Sequence, residues 1–134
     1  MKKNIILLSM LSATVLIQSC KKDKEEDHEH AEVNITITYP TYSTHLHLND
    51  TLDIEADITS NIEIHGYEAT LKNVTADTIV WSTSEHEHMT NYHIHGSWIN
   101  DVTDTSDMQL TIIAEVGHDG TTESKTVSFI CLPQ

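Results

Sequence analysis

The chain has 134 residues, with 21 acidic side chains against seven lysines and no arginine, and its formal charge at pH 7 is −14 with the ten histidines neutral. So acidic a protein excludes nucleic acid as a partner, because counterion release needs a basic surface, and it disfavours anionic lipid or phosphate ligands while attracting cations. The two cysteines, Cys20 and Cys131, are too few for a disulfide scaffold.

In chain order, the first element is a basic start, Lys2 and Lys3, followed by an apolar run from Ile5 to Ile17. That run is too short to cross a hydrocarbon core of ~30 Å, so residues 1–19 read as a cleavable secretory signal. The segment Leu16-Ile17-Gln18-Ser19-Cys20, with a small residue directly before a cysteine, resembles the lipobox of bacterial lipoproteins. That resemblance implies that Cys20 carries a diacylglycerol on its thiol and becomes the first residue of the mature chain. Residues 20–32 then form a charged stretch, Lys21 to Glu32, without an aliphatic side chain larger than alanine. Such a segment buries too little apolar area to offset the entropy of ordering and is expected to be a solvated tether. Its acidic run is similar to the surface-export signals of Bacteroidota lipoproteins, which implies an outer-membrane lipoprotein on the periplasmic or the cell-surface face. Every acidic residue and every histidine lies beyond Cys20, so the mature chain is more acidic still.

From residue 33 to 134 the sequence alternates apolar and polar residues in short runs bounded by turn residues, the period of half-buried strands. Val33, Ile35, Ile37 and Tyr39 share one parity, and Pro40 ends the run. Leu46 and Leu48 are expected to face inward and lead, through an Asn49-Asp50 turn, into Leu52, Ile54, Ala56 and Ile58. After Ile62 and Ile64 the phase slips by one residue at His65-Gly66 before Tyr67, Ala69 and Leu71, which suggests a bulge. Further runs span Thr78 to Ser82, Tyr92 to Ile99, Met108 to Val116 and Lys125 to Cys131. The last two are joined by Gly117-His118-Asp119-Gly120-Thr121, a tight connection between antiparallel strands. The expectation is an all-β, antiparallel sandwich of seven or eight strands in one domain of about a hundred residues.

The long penultimate run, the Asp-Gly turn and the segment Lys125-Thr126-Val127-Ser128-Phe129 resemble the closing hairpin of bacterial immunoglobulin-like and fibronectin-type-III-like domains. No Cys-Trp-Cys arrangement is present, which argues against an antibody-type domain. With paired histidines around the Gly66-Tyr67-Glu68 strand, the whole chain also looks like the small immunoglobulin-like lipoproteins of Bacteroidota, a resemblance that implies no activity.

Four His-x-His pairs carry the chemistry: His28/His30, His45/His47, His86/His88 and His93/His95. Residues two apart on a strand share a face, so each pair can set two imidazoles side by side. Neutral imidazole suits zinc, copper or nickel, and two pairs could supply the four nitrogens of a closed site. Parity places Tyr92, Ile94 and Trp98 inward and His93 and His95 outward, and His45 and His47 also face solvent, where a pair taken alone is more often a solvated sheet face than a ligand pair.

Topology discriminates among the histidines. In immunoglobulin-like order, the connections holding His65, His86 with His88, and His118 gather at one end of the sandwich together with the start of the first strand. The principal metal ligands are therefore expected to be His65, His86, His88 and His118, with His93 assisting, and His28, His30, His45, His47 and His95 are secondary candidates. Trp81 and Trp98 read as core or half-buried, with Trp81 alternatively a sugar-stacking platform, and Cys131 as a buried inert thiol. Asp101, Asp104, Asp107 and Asp119 match no dedicated calcium loop. No nucleophile elbow, phosphate cradle or isolated acid pair is present, so the chain is not expected to be an enzyme.

Two functions follow from these readings. The first is a lipid-anchored, monomeric, extracytoplasmic module that captures, buffers or hands over zinc or copper near an outer-membrane transporter. The alternative is a cell-surface immunoglobulin-like interaction module that binds glycan or a partner protein, its histidines merely solvated.

Overall fold

The computed structural model describes residues 31–117 and 120–134. Eight strands follow one another: β1 (Val33–Tyr39), β2 (His45–Leu46), β3 (Thr51–Ile64), β4 (Gly66–Asn73), β5 (Thr78–Glu85), β6 (Met89–Ile99), β7 (Ser106–Glu115) and β8 (Thr122–Cys131). No helix occurs among the described residues. The strands form a three-stranded sheet ordered β1-β3-β6 and a five-stranded sheet ordered β2-β8-β7-β4-β5. β1, β3 and β6 thus correspond to strands A, B and E of the immunoglobulin scheme, which share one sheet, and β4, β7 and β8 to C, F and G, which share the other. β5 lies beside β4 in the five-stranded sheet, and the fold is an immunoglobulin-like β-sandwich.

The period-two pattern accounts for the core. Along β3, Leu52, Ile54, Ala56 and Ile58 are fully buried and the residues between them are exposed. They pack with Tyr92 and Ile94 of β6 against Ala69 and Leu71 of β4 and Leu110, Ile112 and Ala114 of β7. Each such side chain removes enough apolar area from water to contribute about 1.5–3 kcal/mol for the larger residues. Trp81 of β5 closes one open side: its indole lies against Gly96 of β6, where a Cβ would collide with the ring. Lys125 reaches across the other side, donating from Nζ to the Ile35 carbonyl at 2.8 Å. Asn100, fully buried, donates to the Leu46 and Leu132 carbonyls and accepts from the Val102 N–H, tying β2, the end of β6 and the chain after β8 together.

Four local expectations are corrected. The phase slip at His65-Gly66 is not a bulge: the chain leaves the three-stranded sheet at Ile64 and joins the five-stranded sheet at Gly66. A strand that changes sheet meets the core from the opposite side, which resets apolar parity. Leu48 does not face inward but is 41% exposed, because β2 stops at Leu46 and the chain turns, with the His47 N–H donating to Asp50 Oδ2 at 2.8 Å. The sandwich is not wholly antiparallel, since β2 pairs with β8 in parallel. Finally, the runs that looked short extend into the loops, β5 to Glu85 and β6 back to Met89.

Candidate functional site

One end of the sandwich collects the β3–β4, β5–β6 and β7–β8 connections. The register shows it directly: Gly66 pairs with Glu115, Glu115 with Thr122, Tyr67 with Glu85, and Ile64 with Met89. The chain enters the domain on the same side, where Glu32 and Asn61 exchange hydrogen bonds, the Glu32 N–H donating to Asn61 Oδ1 at 2.8 Å.

At this pole His65 stands at the sheet change, held by its N–H donating to the Glu115 carbonyl at 2.7 Å. His88 comes from the β5–β6 connection, and the two rings approach to 4.6 Å between centroids with a 48° tilt. Gly66 permits the approach of these segments, because a Cβ there would collide with the Glu85 carbonyl and press on His86 Cα. In the adjoining core, Tyr67 and Tyr92 meet edge to face at 5.2 Å. The Tyr92 hydroxyl donates to the Glu87 carbonyl, which anchors the connection that bears His88. Burial raises the ionisation of both phenols above its usual range, and Glu85 reinforces the effect, so both stay neutral donors at physiological pH.

His86 belongs to the same connection as His88 but borders a different surface. It lines a small cavity of about 190 Å³ with Tyr67, Glu68, Ile113, Glu115, Gly120 and Thr122. The pole thus carries two neighbouring features, a His65/His88 pair and a cavity lined by His86. Among the described residues no three His, Cys, Asp or Glu side chains come together as a ready metal cage. His118, with Asp119, lies outside the described residues, as do Cys20, His28 and His30.

The remaining histidines stand elsewhere. His93 and His95 occupy the outer face of the three-stranded sheet, directly opposite Asp57 and Glu55 of β3. His93 is four residues along β6 from the Met89 end, about 13 Å by strand rise, so it is not brought to the His65/His88 pair. The carboxylate of Asp57 hydrogen-bonds His93 Nδ1 at 2.9 Å and holds that imidazole above the usual histidine range. His45 hydrogen-bonds the Ser43 carbonyl through Nδ1 at 3.0 Å, and His47 is exposed in the following turn. Cys131 is fully buried, and burial pushes its thiol up to about 11, an inert group. Trp81 and Trp98 are half-buried against the core. Sequence reasoning missed Glu55 and Asp57 as histidine partners; the only signal was the outward parity of Asp53, Glu55 and Asp57.

No protein-family model and no curated protein matches the chain. Among solved structures it is similar to the CARDB domain of a Pyrococcus furiosus protein, crystallised in complex with di-metal ions, at 13% identity and a TM-score of 0.39 over 76% of this chain and 93% of that one. The metal ions are those of that domain. The fold of the present chain rests on its own strand order and register.

Proposed function

We propose that the chain is a lipid-anchored extracytoplasmic module that binds a transition metal, zinc before copper, at its histidine pole. The observation that carries this reading is the approach of His65 and His88, 23 positions apart in sequence, to 4.6 Å between ring centroids. Two imidazoles brought together by separate connections offer a borderline-soft ion a pair of nitrogen donors. His86, on the same connection as His88 but bordering the neighbouring cavity, and His118, which lies outside the described residues, are assigned as the further ligands. The acidic surface raises the local concentration of cations, and the lipidated Cys20 with its tether holds the module beside an outer-membrane transporter that takes up or supplies the ion. Zinc comes first because imidazole dominates and soft ligands are scarce.

Calorimetric titration of the full chain in detergent, with zinc and with copper, tests it. A double change of His86 and His88 to alanine is expected to lower affinity at least a hundredfold, since it removes two ligands of a closed site, while the same change at His45 and His47 leaves it within a few-fold. Because a coordinating imidazole must be neutral, binding weakens in acid. Equal affinities in all three proteins return the polar histidines to the solvated surface. For the anchor, Cys20→Ala is expected to release a soluble form; a variant that fractionates with membranes as fully as the parent refutes lipid attachment.

A further inference from the structure

Away from the pole, the outer face of the three-stranded sheet sets histidines against carboxylates by register alone. Asp57 stands opposite His93 and Glu55 opposite His95 on the antiparallel β3–β6 pair. Asp57 Oδ1 lies 2.9 Å from His93 Nδ1, and Glu55 Oε1 lies 3.9 Å from His95 Nδ1. At His93 the hydrogen-bonded carboxylate keeps the ring proton on Nδ1 and leaves Nε2, on the far side of the ring, as the lone-pair donor, while Glu55, beyond hydrogen-bond distance, stands near His95 only as a charge. The His93 arrangement is the one by which an outer carboxylate orients a metal-ligating histidine and raises its basicity.

The strand supplies the second requirement. His93 and His95 flank the fully buried Ile94, so both rings stand on one face, roughly 7 Å apart along the backbone. An open groove beside them is lined by Tyr39, Asp53, Glu55 and His95, with room for the waters that complete a coordination shell. The His45/His47 pair lacks these features: β2 is two residues long, His45 pairs with Ile130, and its Nδ1 is held by a backbone carbonyl.

We propose that His93 and His95 form a second transition-metal site, a two-imidazole chelate on β6 in which Asp57 orients His93, that takes a divalent late first-row ion, copper(II) most tightly. This site stands on its own residues and does not rest on the reading of the pole. Copper(II) heads the affinity order for nitrogen and oxygen donors and accepts two imidazoles with water in a tetragonal shell. Asp57 acts here as a positioning residue, through His93.

Copper(II) titration of the full chain in detergent, against a competing chelator and followed by electron paramagnetic resonance, tests the proposal. The His93→Gln/His95→Gln protein is expected to lose one copper equivalent and its two-nitrogen hyperfine pattern, with unchanged circular dichroism. His45→Gln/His47→Gln should keep both. Asp57→Asn should keep the equivalent but bind it about tenfold more weakly, and Asp57→Glu should recover most of that loss. If a His86/His88 double variant keeps every copper equivalent while His93→Gln/His95→Gln loses one, the strand site stands and the polar one falls. The proposal is overturned if His93→Gln/His95→Gln matches the parent in stoichiometry and spectrum, or if the His45/His47 variant loses the same signal.

Discussion

At the pole, His65 and His88 arrive from two connections and meet because three inter-strand turns end on the same side of the sandwich; on the sheet face, His93 and His95 come from one strand and meet their partners because β3 and β6 are in register. The first arrangement depends on topology and on the close packing of connections, the second on a pairing repeated every two residues. A pole of this kind is sensitive to single backbone positions, whereas a strand face survives most substitutions that leave the ladder intact. The difference can be broken or sharpened at specific residues.

The largest effect is expected at Gly66. A methyl group there meets the Glu85 carbonyl and His86 Cα, so Gly66→Ala must separate β4 from the end of β5. Overpacking against backbone that cannot yield is expected to cost about 3 kcal/mol. Chemical denaturation measures it, and the loss of the His65–His88 proximity should appear in imidazole NMR while the His93 and His95 signals stay unchanged. A Gly66→Ala protein as stable as the parent would mean that the pole is not tightly packed.

A smaller loss is expected for Tyr92→Phe, which removes the hydroxyl that donates to the Glu87 carbonyl. About 0.5–1.5 kcal/mol follows from one such hydrogen bond. The more telling readout is local: faster amide exchange from Glu87 to Met89, with no change along the rest of β6. Uniform acceleration across the strand would show that Tyr92 matters only as core.

The smallest effect belongs to the sheet face. Asp57 raises the folded-state value of His93 above its unfolded value, which lies near about 6.5. The ion pair therefore adds stability that is fully present below that unfolded value and is lost as pH rises through the higher folded one. Both partners are exposed, so the effect is small. The groups facing His93 and its neighbour are Asp53, Glu55 and Asp57 on β3, Tyr39 on β1 and His95 itself. Comparing the parent with Asp57→Asn between pH 5.5 and 8.5 should show a shallower decline for the variant; identical pH profiles would deny the pair any energetic role.

What could be read from the sequence follows the same division. Strand parity was legible, since Ile94 between two outward histidines or Leu52, Ile54, Ala56 and Ile58 in alternation leaves little choice about the buried face. The gathering of His65 and the β5–β6 connection at one end was also legible, but only through the topology that the closing hairpin suggested. The partners of His93 and His95 were not, because register between β3 and β6, 36 residues apart at Asp57 and His93, is fixed by non-local pairing that no local pattern encodes. The sheet change at His65 was mistaken for a bulge because both shift parity by one residue. Leu48 was misplaced because alternation continued one step beyond the hydrogen-bonded strand.

Zinc K-edge X-ray absorption on the full chain loaded with one equivalent tests the histidine pole most directly. The account predicts a nitrogen shell at about 2.0–2.1 Å with the outer-shell scattering of several imidazoles, diminished in a protein changed to alanine at both His86 and His88. An all-oxygen shell, or a spectrum indifferent to that double change, would contradict it.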